Sequence, residues 1–195
     1  MKLYSDPISG NSYKVRLFLS MLGLNYETIP VSLRKGEHLS EDFKLLNPRG
    51  QIPVLVDDGT AIWDSIAILV YLARQYGKGR WLPSDAVGEA KVMQWLAVSE
   101  NELQYGLARA RAVLKWQKPY DLTQCQAEAY AGLTVMNQQL AQNEWLASNQ
   151  PSIADIACYP HIALASEAQV CLETYPNVQR WLKQVESLPG YVPMS

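Results

Sequence analysis

NPRGQIPVLVDDGTAIWDSIAILVY, residues 47–71, decides the reading of the fold. It opens on a turn, Asn47-Pro48-Arg49-Gly50, and enters an apolar run interrupted by a proline, Gln51-Ile52-Pro53-Val54-Leu55-Val56. Proline donates no ladder hydrogen bond, so Pro53 suits the first residue of a strand just after a bend. A cis Ile52–Pro53 bond would make that bend, at a cost of about 0.5–1 kcal/mol for an X-Pro amide. The backbone of Ile52 or Val54 is then left to pair with an extended ligand. Asp57-Asp58-Gly59 turns the chain, and a short strand runs into Asp64-Ser65 and a strongly apolar helix. There an acceptor and a hydroxyl stand at a helix start, whose free N–H groups attract an anion. A strand-like edge beside an anion pocket fits a short peptide bearing a carboxylate.

Upstream, Lys2–Ser5 reads as a strand and 6–10 as a turn. Asn11 or Ser12 is expected to cap a helix through about Leu22, stopped by Gly23. Tyr26 to Val31 alternates and predicts a second strand. Strand, helix, strand in about thirty residues is a βαβ unit with a parallel pair. Leu39–Leu46 is a short helix, capped by His38 or Ser40. Strands around 53–56 and 61–63 follow, and the apolar helix ends near Gly77. The composition changes at Lys78-Gly79-Arg80-Trp81-Leu82-Pro83-Ser84, which reads as a linker that Trp81-Leu82 docks. Beyond it no strand pattern occurs. Asp85 to about Lys118 reads as one long helix bent near Gly106, followed by helices over 123–142, after 149–152, and over 176–188. The expected architecture is α/β, residues 1–77, then linker 78–84, then all-α, residues 85–195. Ser152-Ile153-Ala154-Asp155 is a capping-box pattern with Asp in place of Glu or Gln, and its assignment is to folding, not chemistry.

Composition narrows the function classes. The chain has 195 residues, is 48% hydrophobic and carries net charge −2. A sizeable core is available, and without a Lys/Arg cluster nucleic acid is not the expected partner. No run approaches the roughly 18 apolar residues of a membrane span, and the N-terminus does not read as a signal peptide. Cys125, Cys158 and Cys171 form no CxxC and are expected as reduced packing thiols in a cytosolic protein. Two histidines, His38 and His161, make a His-rich metal site improbable, and no metal is expected.

The stretch at 47–71 resembles the glutathione-binding core of the cytosolic glutathione transferases. That family carries N-P-x-x-x-[IV]-P-x-L followed by an acidic residue and Ser at a helix start, matched here by Asn47-Pro48, Ile52-Pro53, Leu55 and Asp64-Ser65. Many relatives have Glu-Ser where this chain has Asp-Ser. The resemblance runs over most of the chain and points to serine-type relatives or a bacterial neighbour. It implies a thioredoxin-like βαβ-ββα domain followed by a helical one.

It also implies a site. In this fold Ser9-Gly10-Asn11-Ser12-Tyr13 lies where a strand ends and a helix begins. A free thiol has a pKa near 8.5, so only a small fraction is ionised at neutral pH. A hydroxyl or amide donor to sulfur and a helix N-terminus favour the thiolate. The activating Ser of serine-type relatives stands seven residues before the helix Arg, the place of Ser9 relative to Arg16. Asn11 holds the place of the Cys or Asn of some bacterial relatives, and Ser12 is next. Tyr4 ranks behind these, and Tyr13 is expected on the helix surface. Lys35 and His38 are candidates for the glycyl carboxylate of glutathione, and Gln51 for a polar contact. Ile52, Pro53 and Val54 form the backbone edge. Ser65 is the candidate for the glutamyl carboxylate, with Asp64 for the ammonium; Arg49 reads as surface. The electrophile is expected against Tyr105, Arg109, Arg111 and Trp116 of the helical domain, with Tyr105 and Arg109 on one face at i, i+4. Trp95, Trp145 and Trp181 are expected in the core.

The activity implied is conjugation of glutathione, as co-substrate, to a small hydrophobic electrophile by a cytoplasmic, detoxifying homodimer whose contact uses the helical domain and 64–76. Glutathione-dependent isomerisation or disulfide reduction on the same site is the competing enzyme reading. A binding module that kept the fold and lost catalysis is the reading from another class.

Overall fold

The computed structural model describes residues 1–194. Strand β1 (Lys2–Ser5) leads through a loop to α1 (Gly10–Met21) and β2 (Glu27–Pro30). A 3-10 turn (Glu37–Leu39) and α2 (Glu41–Leu46) precede β3 (Val54–Asp57), β4 (Thr60–Trp63) and α3 (Ser65–Tyr76). The sheet order is β2-β1-β3-β4. β1 and β2 are parallel, while β3 runs antiparallel to both β1 and β4. This is the thioredoxin-like arrangement the sequence predicts.

Alternation along the strands distributes the side chains between two layers. Tyr4 and Val54 are register partners on one face, where Val31, Phe43 of α2 and Ile52 pack with them. Leu3 and Leu55 pair on the other face, are fully buried, and point toward the layer of α1 and α3. Val15, Phe18, Ile68, Leu69 and Leu72 supply that layer.

Helix α1 starts earlier than the sequence reading has it. Ser9 is the N-cap, accepting from Ser12 N–H at 3.2 Å, so Asn11 and Ser12 lie within the first turn. Ser40, not His38, caps α2 through Phe43 N–H. Tyr13 is not on the helix surface: it is buried, and its hydroxyl donates to the Val192 carbonyl at 2.6 Å.

Contacts divide the chain into two units, Met1–Lys78 with the residues from Pro189 on, and Gly79–Leu188. The expected second domain runs to 195, but the residues after Leu188 group with the first unit. The Tyr13 bond is one reason. Gly190 is another: at φ +80 it lies so close to α1 that an added Cβ would meet Met21 Cα at 2.8 Å.

The second unit contains α4 (Ala86–Val98), a π-helical segment (Ser99–Ala108), α5 (Arg109–Trp116), α6 (Leu122–Gln142), α7 (Ile153–Ala163), a 3-10 turn (Ala165–Ala168) and α8 (Pro176–Glu186). The expected single helix over 85–118 is therefore three segments, with Gly106 in the π stretch. Gly106 fits where α6 comes close: a Cβ there would meet Ala129 N at 2.4 Å. Leu82 is buried and the Trp81 carbonyl accepts from Ile153 N–H, which docks the linker onto α7. Helix α7 is buried from Ile153 to Ile162 and forms the centre of this unit. Its capping box is complete, with Ser152 N–H donating to Asp155 Oδ2 at 2.9 Å. Asp155 Oδ1 also receives Trp181 Nε1–H at 2.9 Å and Leu146 N–H at 3.1 Å. Trp95, Trp145 and Trp181 are core residues as expected. Cys125 and Cys158 are buried, but Cys171 is exposed, not the packing thiol expected. No helix among the described residues is long and apolar enough to cross a membrane.

Candidate functional site

The strand directions bring four segments to one end of the sheet. β1 ends at Ser5, and parallel β2 ends beside it at Pro30. β3 runs the opposite way, so its first residue, Val54, stands next to Tyr4. β4 ends at Trp63, opposite Val54. The loop 6–9, the segment 31–40, the turn 47–53 and Asp64-Ser65 therefore all emerge at this end. Sequence separation hides this clustering; the antiparallel β3 produces it.

The first loop is pinned by charge. Arg16 of α1 donates to Ser5 Oγ and the Asp6 carbonyl at 3.2 Å each, and to the Pro7 carbonyl at 3.0 Å. Burial lowers its pKa, with Tyr26, Tyr13 and Asp6 acting in the opposite direction. Asp6 accepts from Ile8 N–H at 3.1 Å and from Leu33 N–H at 3.3 Å, joining this loop to the one after β2. Sequence reasoning used Arg16 only as a landmark and gave Asp6 no part. Nothing local in the sequence signals either, because their partners are carbonyls and amides.

Ser9 ends the loop half-buried. Its oxygen accepts from Ser12 N–H, while its own O–H has no acceptor among the described residues. Asn11 is half-buried in the first turn of α1. Ser12 is fully buried, so its hydroxyl is closed to a ligand as the protein stands.

The turn 47–53 is organised by Asn47, 1% exposed. Its Oδ1 accepts from Arg49 N–H at 3.0 Å and its Nδ2 donates to the Gln51 carbonyl at 2.7 Å. Asn47 thus ties the chain on both sides of Gly50. Gly50 has φ +58, and a Cβ there would sit 3.0 Å from the His38 carbonyl oxygen. The turn and the His38 segment are in contact for that reason. The Ile52–Pro53 bond is cis. Ile52 is held by the small core with Val31, Phe43 and Val54, and its backbone N–H and C=O have no hydrogen-bond partner among the described residues. Val54 is different: it belongs to the ladder, with register partners on both sides. Of the two backbone candidates, Ile52 is the one outside the sheet. Gln51 is exposed, Lys35 is exposed in the loop after β2, and His38 is half-buried in the 3-10 turn.

Asp64 has φ +77, a conformation that side chains rarely adopt and that asparagine and aspartate tolerate best. Its Oδ1 accepts from Ile66 N–H at 2.9 Å and Ala67 N–H at 3.4 Å, which caps α3. Its Oδ2 pairs with Arg49 at 3.3 Å. Arg49, read as a surface residue, is exposed but engaged, with its guanidinium 5.9 Å from the centre of the Trp63 ring. Ser65 follows at the first helical position, 4% exposed, and its hydroxyl has no partner among the described residues.

In the helical unit, the Arg109 guanidinium carbon lies 4.0 Å from the centre of the Tyr105 ring, so the i, i+4 pairing is realised. Tyr120 joins them at 4.8 Å, from the break between α5 and α6; the sequence reading did not include it. Arg111 lies over Trp116 at 4.9 Å, but its Nε donates to Glu167, which also receives Lys115 at 2.7 Å. Arg111 is buried and committed to that ion pair.

Comparison with known proteins gives a consistent set of relatives. The family model for the N-terminal domain of glutathione S-transferase matches residues 1–74, and that for the C-terminal domain matches 107–184. The Escherichia coli disulfide-bond oxidoreductase YfcG is 30% identical over 96% of this chain and 91% of its own length. A maleylacetoacetate isomerase from Pseudomonas aeruginosa is 30% identical over 98% of this chain and 93% of its own. The crystal structure of a glutathione S-transferase from Pseudomonas fluorescens is 36% identical, covers 99% of this chain and 98% of its own, and superposes with a TM-score of 0.93.

Proposed function

The chain belongs to the glutathione S-transferase family, and from that premise we propose that it binds glutathione at the four-segment end of the sheet and presents it as a thiolate to a small electrophile. The observation that carries the reading is Ser9. Its hydroxyl stands at the N-terminus of α1 with its oxygen held by Ser12 N–H and its proton uncommitted among the described residues. A sulfur beside it meets an O–H donor and the positive end of the helix. The hydroxyl matters more: a charge-assisted hydrogen bond contributes about 1.5–3 kcal/mol against about 0.3–1 kcal/mol for the dipole at an exposed site.

In this reading the peptide backbone of glutathione pairs with Ile52 and its glutamyl carboxylate lies at Ser65 and the N-terminus of α3. The ammonium meets Asp64 Oδ2, shared with Arg49, and the glycyl carboxylate meets Lys35 or His38. Glutathione supplies the nucleophile. The protein binds it, orients it and lowers the thiol pKa. Homodimerisation and a cytoplasmic location belong to the same proposal.

The test is thiolate absorbance against pH on the glutathione complex. Ser9→Ala is expected to raise the thiol pKa by about one to two units, each worth about 1.4 kcal/mol, while glutathione still binds. Activity then falls most near neutral pH and recovers in part as pH rises. A curve that stays in place in Ser9→Ala and moves in Asn11→Ala transfers the role to Asn11. The second reading, glutathione-dependent isomerisation or disulfide reduction, is favoured by the names of the E. coli and P. aeruginosa relatives. Parallel assays with an aryl halide, a cis-enone acid and a mixed disulfide separate the three.

A further inference from the structure

We propose that Asp6 is a positioning residue that holds the loop at the sulfur and the loop at the glycyl end in one arrangement, so that a single side chain sets both thiol activation and the preference for the full tripeptide. This role rests on the placement of glutathione given above, with sulfur at Ser9 and the glycyl carboxylate at Lys35 or His38, and adds the part that joins those two ends.

Asp6 is nearly buried, at 9% exposure, and its carboxylate is divided between two segments. Oδ1 accepts from the N–H of Ile8, next to Ser9, at 3.1 Å. Oδ2 accepts at 3.3 Å from the N–H of Leu33, two residues before Lys35. The Asp6 carbonyl accepts from Ser9 N–H at 3.2 Å, which closes the loop 6–9 on itself. The segment 32–37 is likewise bonded within itself. Ser32 N–H donates to Glu37 Oε2 at 2.7 Å, Lys35 N–H to Ser32 Oγ at 3.2 Å, and Gly36 N–H to the Leu33 carbonyl at 3.2 Å. The Leu33 side chain packs against the small core of Val31, Phe43, Ile52 and Val54. Each segment is therefore a tied piece, and the Asp6 carboxylate links one piece to the other.

The chemistry of the link calls for a carboxylate. Two N–H donors approach the group, one from each loop, and an ionised carboxylate accepts at both oxygens. Asparagine has the same shape but a single acceptor; its amide –NH2 would face an N–H donor and bond neither. Alanine ties neither loop, and each buried N–H then needs another partner, which the loop reaches by shifting. A shift of about 1 Å in a group that meets the reacting atom is enough to cost rate.

The experiment uses the full-length protein with glutathione and with γ-glutamylcysteine, which lacks the glycine. Isothermal titration gives the two affinities, and thiolate absorbance against pH gives the thiol pKa of bound glutathione. The wild type is expected to hold glutathione about fivefold more tightly than the dipeptide, the scale of an exposed carboxylate–cation contact. In Asp6→Ala that ratio is expected to fall to about two or less, and the bound thiol pKa to rise by about half a unit to one unit. Asp6→Asn, the isosteric variant, leaves one loop with its acceptor, so at least one of the two readouts is expected to move. A structural role alone would lower stability and leave both readouts in place. The role of Asp6 is overturned by a wild type that binds both peptides equally. It is overturned equally by an Asp6→Ala in which either readout holds, or by an Asp6→Asn in which neither moves. A wild type that binds neither peptide is a different outcome: it removes the glutathione reading itself, and the role of Asp6 with it.

Discussion

Two helix starts in this protein use the same residue types and do opposite things with them. At α7, Ser152 and Asp155 turn inward. Asp155 is fully buried and receives Ser152 N–H, Leu146 N–H and Trp181 Nε1–H, so the polar groups there are satisfied within the chain. At α3, Asp64 caps the helix with one oxygen and holds Arg49 with the other, and Ser65 keeps a hydroxyl that no described residue uses. The first arrangement stabilises the fold. The second leaves capacity for something from outside. Serine and aspartate at a helix start thus specify a cap, and the destination of the leftover donors and acceptors decides whether the place is structural or receptive.

The largest effect that bears on this contrast is expected at Asp155→Ala. It strands three buried N–H donors, so the helical unit should lose about 3–5 kcal/mol, seen as a lower midpoint in denaturation followed by tryptophan fluorescence. A loss under about 1 kcal/mol would remove the structural half of the comparison. Ser65→Ala should do the reverse. Its hydroxyl has no internal partner, so stability should change by less than about 0.5 kcal/mol, while KM for glutathione rises about tenfold and kcat holds. Unchanged KM would make Ser65 as closed as Ser152. A smaller effect is expected at Arg49→Ala, which frees Asp64 Oδ2: about a two- to fivefold change in KM, the scale of an exposed ion pair.

The smallest effect concerns pH. Burial tends to raise the Glu167 pKa, but Lys115 and Arg111 outweigh it and hold the carboxyl below its usual value. The unfolded chain then binds the proton more readily than the folded one. The contribution of Glu167 is present above the ordinary glutamate pKa and is lost as pH falls through the lowered one. Glu167→Gln should flatten a small part of the acid limb of stability, small because the pair is partly exposed. Asp155 has the opposite sign. Burial raises its pKa against the pull of Trp181, Ser152 and Leu146, so its contribution declines as pH rises through that raised value.

How far the sequence could be read follows the range of the interactions. The βαβ-ββα order, the capping box at Ser152 and the Asn47–Ser65 stretch are written in local patterns, and all of them appear in the structure. Ser9 as a cap was missed in favour of Asn11 and Ser12, because three capping residues lie within four positions and only the backbone conformation selects one. Tyr13 looked like a surface residue because its partner, the Val192 carbonyl, is far along the chain. Arg16, Asp6, Asn47 and Tyr120 act through backbone carbonyls, amides or ring faces brought together by the sheet and the helix break. Such contacts leave no periodic trace. The π segment is invisible for a related reason: the close approach of α6 at Gly106 is a long-range contact, and no local pattern announces the extra hydrogen-bond span.

That π segment, Ser99–Ala108, has a consequence for how such a protein diversifies. Wider turns accommodate more residues per turn than an α-helix does, so the stretch holds slack in chain length without breaking the rod. Deleting one residue from an α-helix turns everything downstream by about 100° around the axis. Here the wide turns can tighten and take up such a loss. The faces that α5 presents to α6 and to the Ala165–Ala168 turn can therefore survive a change of chain length that an ordinary helix would pass on to all its neighbours.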